Sequence, residues 1–251
     1  MLALVAAAEC RLEAQGGPPY FTDDTGTPGN RKWEINLAYT PLILDDQSTT
    51  RLPDMDANFG AGDRIELNFD IAWLRAAAQP DMAKYGLSQS TVGVKWRFYD
   101  NNRGFAVSVF PQGLFNNPTN SARRGIVPQG ASLMLPLQWS TQIGPIGING
   151  DVGYSVVHHD RDGWLAGIIV GHEKRIGRGK ARDAEVAVEY FATGDVGGSV
   201  TQSTIDAGVR YQIGPSAVVL AMAGRDVRSG CSFAGYFGLQ LLLPPRSTSA
   251  P

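Results

Sequence analysis

Over residues 64–73 (RIELNFDIAW) apolar and polar positions alternate without a break: Ile65, Leu67, Phe69, Ile71 and Trp73 against Arg64, Glu66, Asn68 and Asp70. A period of two sends the two sets to opposite faces of a β-strand. One face is wholly apolar and ends in Trp; the other carries both signs of charge. A soluble sandwich uses such a strand with its polar face in water. A membrane barrel uses it with the apolar face in lipid and the polar face in a lumen, over about 9–11 residues. What separates the two is how often the pattern recurs.

It recurs along the whole chain. Residues 33–40 (WEINLAYT) set Trp33, Ile35, Leu37 and Tyr39 against Glu34, Asn36 and Ala38. They follow a turn-rich stretch, 16–31 (GGPPYFTDDTGTPGNR), that fits no regular element. Residues 41–53 read as a polar loop, 54–59 as a weaker strand, and 76–86 again as loop. Alternation resumes over 88–99, with Val92, Val94, Trp96 and Phe98 against Thr91, Gly93, Lys95 and Arg97. A DNNRG turn leads to 105–114, and a loop centred on NNPTNSARRG leads to 131–142. Pro136 inside that last strand predicts a bulge or a local loss of pairing. Residues 146–157, 164–173, 184–191, 204–212, 217–225 and 233–243 complete about twelve predicted strands, the even number expected of a bacterial barrel. Connections after odd-numbered strands read as mostly long and those after even-numbered ones as mostly short, with 174–183 and 158–163 as exceptions. Long loops outside and short turns inside would place both termini in the periplasm.

Composition sharpens this picture. Only 18% of residues are charged and the formal net charge is −2, so no basic footprint points to nucleic acid. The 30 glycines are scattered through strand-like runs, where barrels need bends and tight inward positions. Cys10 lies in the apolar start and Cys231 in a predicted loop, so neither a disulfide framework nor a zinc cluster is indicated. No run approaches the roughly 18 apolar residues of a helical span. Residues 1–8 (MLALVAAA) resemble the later part of a secretory signal, which makes 1–15 a signal-peptide remnant. The alternative is an apolar first helix of a soluble domain. Aromatics end several apolar faces (Trp33, Tyr39, Trp73, Trp139, Tyr154, Trp164, Tyr190, Tyr211), which favours lipid over a soluble sandwich or lipocalin-like barrel. The expectation is an all-β, up-and-down antiparallel transmembrane β-barrel over 33–243, in the bacterial outer membrane with its lipid as partner. Residues 16–32 are a periplasmic N-terminal segment or partial plug, and 244–251 a C-terminal tail.

Several motifs carry a resemblance. PPYFTDD at 18–24 is followed by WEIN at 33–36; later come GLSQSTVGVKWRFYD at 86–100, FPQGLF at 110–115, Glu189–Phe191 and GLQLLL near the end. Together these resemble the outer-membrane β-barrel family named for the meta-cleavage pathway of phenol degradation (the MetA-pathway family), over about residues 18–243. The resemblance implies a Gram-negative outer-membrane barrel that passes small molecules, aromatic or hydrophobic ones among them. It implies no catalytic residues. Residues 116–130 and 174–183 are idiosyncratic to this chain.

Candidate chemistry follows from the polar faces. Assigned to a lumen, they place Arg64, Glu66, Asp70, Lys95, Arg97, Asp151, Glu185, Glu189, Asp206 and Arg210 inside. Mixed signs fit transverse ion pairs better than a single-sign selectivity ring. Such pairs either line a solute path or fill and rigidify a narrow barrel. The TGDVGGS stretch at 193–199 follows a strand but precedes no helix, so it reads as loop and not as a nucleotide site. His158 and His159 sit at a predicted hairpin tip beside Asp160 and Asp162, where a solvated turn is the simpler account than a metal site. His172 lies within a strand. No G-x-S-x-G or phosphate-loop motif occurs, so no cofactor is expected and an outer-membrane hydrolase ranks last among the functions. A channel or facilitator for a small-molecule solute leads, and a non-conducting structural or interaction barrel is the alternative. In the N-terminal segment, Tyr20 and Phe21 are candidates to pack inside the lumen, with Asp23 and Asp24 meeting lumen Arg or Lys; a loose periplasmic lead-in is the other reading.

Overall fold

A computed structural model describes residues 17–44, 47–78, 82–158, 160–176, 182–198, 200–227 and 231–244. The signal-like start with Cys10, His159, the centre of the basic connection and most of the C-terminal tail lie outside the described residues. The chain forms one sheet of 14 strands. They are β1 (Trp33–Leu44), β2 (Gln47–Gly60), β3 (Ile65–Ala78), β4 (Lys84–Leu87), β5 (Ser90–Asp100), β6 (Phe105–Val109) and β7 (Gln112–Phe115). There follow β8 (Ser132–Ile143), β9 (Ile146–Val157), β10 (Gly163–Ile176), β11 (Arg182–Asp195), β12 (Val200–Gly214), β13 (Ala217–Asp226) and β14 (Cys231–Leu243). All pairings are antiparallel, and β14 returns to β1 with Leu243 opposite Trp33, so the sheet closes. Two staves are interrupted: β3 pairs with both β4 and β5, and β8 with both β6 and β7. Fourteen strands thus make twelve staves. Among the described strands only the short β4 has a single partner; elsewhere closure removes the edges, which is the condition for a sheet to sit in hydrocarbon.

The strands run longer than alternation alone indicates. β1 continues through Leu44 and β2 begins at Gln47, inside the expected loop 41–53. β3 reaches Ala78, β11 takes in part of the Gly-rich loop by continuing to Asp195, and Cys231 opens β14 instead of lying in a loop. Backbone pairing can continue past the point where one face must be apolar, and there the sequence loses its period. The expected rhythm of long and short connections is therefore not found. Residues 116–131 form the one long connection among the described strands; the others at that end are about as short as the turns at the end holding Trp33.

Pro136 is paired with Gly153 in unshifted register. The interruption predicted there falls on its other neighbour, where the stave breaks between β6 and β7 at Phe110 and Pro111. Phe110 N–H still donates to the Pro136 carbonyl at 3.0 Å.

Side chains sort as the alternation requires. Along β3, Ile65, Leu67, Phe69 and Trp73 are exposed on the outer wall and Glu66 and Ala72 are buried inside. Aromatics band the wall near both ends. Trp33 packs on Phe59 (4.8 Å between ring centroids) and Tyr99 on Phe105 (6.0 Å) at one end. Tyr39, Trp73, Tyr154, Trp164 and Tyr190 lie towards the other. Two tryptophans lie flat across glycines of neighbouring strands. A Cβ on Gly150 would come within 2.6 Å of the Trp139 ring, and one on Gly194 within 2.7 Å of Trp164. Each glycine is its tryptophan's register partner.

Candidate functional site

Residues 17–32 turn back from the start of β1 and run inside the barrel. Tyr20, Phe21, Thr22, Asp23 and Thr25 are all buried. A segment without strand or helix must find partners for its backbone N–H groups elsewhere, and lumen carboxylates supply them. Glu189 on β11 accepts from Phe21 N–H at 2.9 Å and also from Thr22 N–H. Asp151 on β9 accepts from Asp23 N–H at 3.4 Å, and the Ser140 hydroxyl from Thr25 N–H at 3.1 Å. The Asp23 carboxylate meets the Lys95 ammonium at 2.7 Å and accepts from the Gln138 amide at 2.8 Å. Lys95 is shared with Glu66 at 3.8 Å and stands 4.9 Å from the centre of the Phe110 ring. Buried charges persist where they are paired and hydrogen-bonded, and here both the segment and the wall contribute partners.

The wall is shaped for this segment. A Cβ on Gly167 would overlap the Thr22 hydroxyl and come within 2.8 Å of Asp151. One on Gly208 would stand 2.7 Å from the Tyr20 ring, and one on Gly60 would overlap the Gly29 carbonyl. Phe21 stacks on Phe191 with centroids 5.3 Å apart. Tyr20 and Phe21 join Leu42, Met134, Leu165, Ile169, Phe191, Met222 and Ala234 in an apolar cluster within the lumen.

Nine of the ten lumen candidates are buried or half-buried; Arg64 is exposed, in the turn at 61–64 just before β3 begins at Ile65. Glu66, Lys95, Asp151, Glu189 and Asp206 are deeply buried, and Glu189 and Asp206 are register partners. Asp70 takes Arg51 at 2.8 Å, and Arg210 pairs with Glu185 at 3.8 Å. Arg97 sits at the rim, donating to the Asp63 carbonyl at 2.8 Å. Asp24 adds its carboxylate to the lumen, where it accepts from Gly26 N–H at 2.6 Å.

Sequence reasoning missed two groups. The first is Glu34, Arg51, Asp54 and Asp56 with the amides of Asn36, Asn58 and Asn68, which carry the ladder of polar contacts across β1–β3. Asp56 alone accepts from all three amides, at 2.9, 2.9 and 2.6 Å. The second is the apolar lumen cluster; its signal is the failure of alternation in runs such as SLMLPL, WLAGIIV and VVLAMAG. His172 is exposed on the outer wall, away from the lumen carboxylates, and His158 occupies a turn.

Among the described residues, two cavities flank the inserted segment. One of about 180 Å³ lies against β1–β5, with Glu34, Asp54, Asp56, Glu66, Asp70 and Lys95 on one side and Tyr20, Phe21, Met222 and Tyr236 on the other. The second, of about 340 Å³, opens between the segment and the turn at 101–104, beside Ser140, Asn149, Glu185 and Arg210.

No family model matches the chain, and no curated protein matches it by sequence. The architecture does have solved counterparts. An outer membrane channel from Pseudomonas putida F1 superposes with a TM-score of 0.57 at 10% identity, over 88% of this chain and 98% of that one. The KdgM porin gives 0.54 at 10% identity, over 82% and 98%. The beta domain of the Bordetella autotransporter BrkA gives 0.55 at 9% identity, over 85% and 99%. This chain has the fold of outer-membrane β-barrels. At such identities the likeness is one of fold, shared by channels and by an autotransporter domain alike.

Proposed function

We propose that the protein is an outer-membrane channel or facilitator for small molecules, hydrophobic or aromatic ones among them, and that residues 17–32 are its plug. The observation that carries this reading is the segment itself, seated inside the barrel with a cavity on either side. A barrel whose only task is structural can fill its lumen with side chains from its own wall. Here the filling is a separate, irregular stretch held by a few polar contacts to Glu189, Asp151, Lys95 and Ser140. The apolar cluster that seats Phe21 against Phe191 supports a hydrophobic solute, since withdrawal of the segment would leave that apolar wall facing the path. The motifs at 18–24 and 33–36 support membership of the family named for phenol degradation, and the long connection at 116–131, at the end opposite to Trp33, supports a periplasmic side for the N-terminal segment.

The test is conductance in planar bilayers of the full chain and of a variant lacking residues 17–30. Small, rare openings are expected from the first, and larger, sustained ones from the second. A silent deletion variant that still shows heat-modifiable migration on a gel would sink the plug reading and favour the non-conducting barrel.

A further inference from the structure

Just beyond the aromatic band, at the end that holds the 116–131 connection, the outer wall gathers two arginines. Trp73 closes the lipid-facing alternation of β3, and Arg75 follows it on the same face. A rise of about 3.3 Å per residue sets Arg75 roughly 7 Å past Trp73 along the strand. Trp and Tyr mark the level where hydrocarbon gives way to headgroups, so Arg75 stands among headgroups. Its register partner is Tyr85, exposed on β4. Ser88 N–H donates to the Ala72 carbonyl at 2.9 Å, and hydrogen-bonded and non-hydrogen-bonded pairs alternate along an antiparallel ladder. Counting from Ala72, Arg75 and Tyr85 are a non-hydrogen-bonded pair, with Cα atoms about 4.5 Å apart. The Tyr85 carbonyl therefore faces the free edge of β4, where the Arg124 guanidinium donates to it at 3.0 Å. β3 and the long connection thus bring two guanidinium groups to the two sides of one tyrosine.

Their other partners are neutral. Arg75 donates to the Ser48 hydroxyl at 3.4 Å, and among the described residues neither arginine is ion-paired. Thr50, opposite Arg75, and Ser48 add hydroxyls to the same face. Resting on the orientation proposed above, which makes this end external, we propose that Arg75 and Arg124 bind a phosphate of the phosphorylated glycolipid of the outer leaflet, lipid A. Guanidinium forks match phosphate oxygens bidentately, and a basic site at headgroup level is how membrane proteins select anionic lipids. The Tyr85 ring packs on the root of the acyl chains, and the Ser48 and Thr50 hydroxyls meet the sugar. A phospholipid offers the phosphate without a sugar ring, so it fits this face less well.

Native mass spectrometry of the folded chain in mild detergent, titrated with lipid, tests this without requiring flux. The probes are lipid A, its dephosphorylated form and phosphatidylglycerol. Lipid A should bind saturably, at least tenfold tighter than the dephosphorylated form and at least fivefold tighter than phosphatidylglycerol. Arg75→Gln and Arg124→Gln should each weaken it at least threefold, and the double variant at least tenfold, with heat-modifiable migration retained. Arg103→Gln, in the turn at the opposite end, should leave it unchanged. Equal binding of the dephosphorylated form, equal binding of phosphatidylglycerol, or wild-type affinity in the double variant would each overturn the proposal. The channel reading fails separately: silent bilayers with this lipid preference intact would remove the channel and keep the lipid site.

Discussion

The Lys95 ammonium lies 2.7 Å from the Asp23 carboxylate, joining the middle of β5 to the inserted segment across the barrel interior. Both side chains are nearly inaccessible to solvent, so neither charge has water to fall back on. Removing one partner of such a pair costs about 3–5 kcal/mol because the other charge is left uncompensated. In Lys95→Met, Asp23 and Glu66 both lose their cation, and withdrawal of the segment from the lumen relieves Asp23. Limited proteolysis should therefore cut within residues 17–32 in this variant while sparing the wild type, with the barrel itself still resistant. Equal protection of the segment in both proteins would contradict a holding role for the pair.

Gly167 gives a steric counterpart to that electrostatic contact. The three atoms nearest its Cβ all belong to side chains: the Thr22 hydroxyl of the segment, which it would overlap, and Asp151 and Phe191 of the wall, at 2.8 and 3.0 Å. Gly167→Ala should therefore push hardest on the segment, raising the open probability in bilayers several-fold. Adding Thr22→Ala removes the overlapping hydroxyl and should return the channel towards its wild-type behaviour. No rescue by the second change would place the effect in the wall.

These two contacts mark where the sequence is legible and where it is not. The membrane-facing set is plain in residues 64–73, because hydrocarbon demands an apolar residue at every outward position and tolerates polar ones inward. Where that demand ends, as between Pro41 and Pro53, pairing continues on backbone hydrogen bonds alone and nothing periodic records it. Residues 17–32 have no period at all, yet the aromatic and acidic content of PYFTDD complements a lumen that offers Phe191 and Lys95. Leu42, Met134 and Phe191 escape notice for the opposite reason. An apolar residue among apolar neighbours does not announce that it faces inward, so the apolar half of the lumen emerges only once the barrel is closed.

The outward assignment of Phe69 has its own consequence. It sits in the middle of β3, between Ala57 and Val92, on the exposed wall. An arginine near the bilayer midplane on the lipid face of a barrel costs about 2–4 kcal/mol. Phe69→Arg should lower unfolding free energy in lipid by that amount, measured by urea titration in vesicles. Met82→Arg, on a connection outside the wall, should change it by less than about 0.5 kcal/mol. Equal effects at the two positions would argue against lipid contact at Phe69.

Glu189 holds two consecutive backbone N–H groups, those of Phe21 and Thr22, one on each carboxylate oxygen. Glu189→Gln keeps the size of the side chain but replaces one acceptor oxygen with an NH₂ that faces a donor. Hydrogen bonds to a charged acceptor contribute about 1.5–3 kcal/mol each, so losing one should raise local opening of the segment roughly 10- to 100-fold. Hydrogen–deuterium exchange reads this directly: the Phe21 and Thr22 amides should lose protection, while those of Val188 and Ile205 in the paired strands keep theirs. Asp206, the register partner of Glu189, gives the matching control, since no backbone N–H of the segment is bonded to it. Asp206→Asn should therefore leave the protection of Phe21 and Thr22 within a few-fold of wild type, and a larger loss there than in Glu189→Gln would shift the anchoring role from Glu189 to the carboxylate pair as a whole.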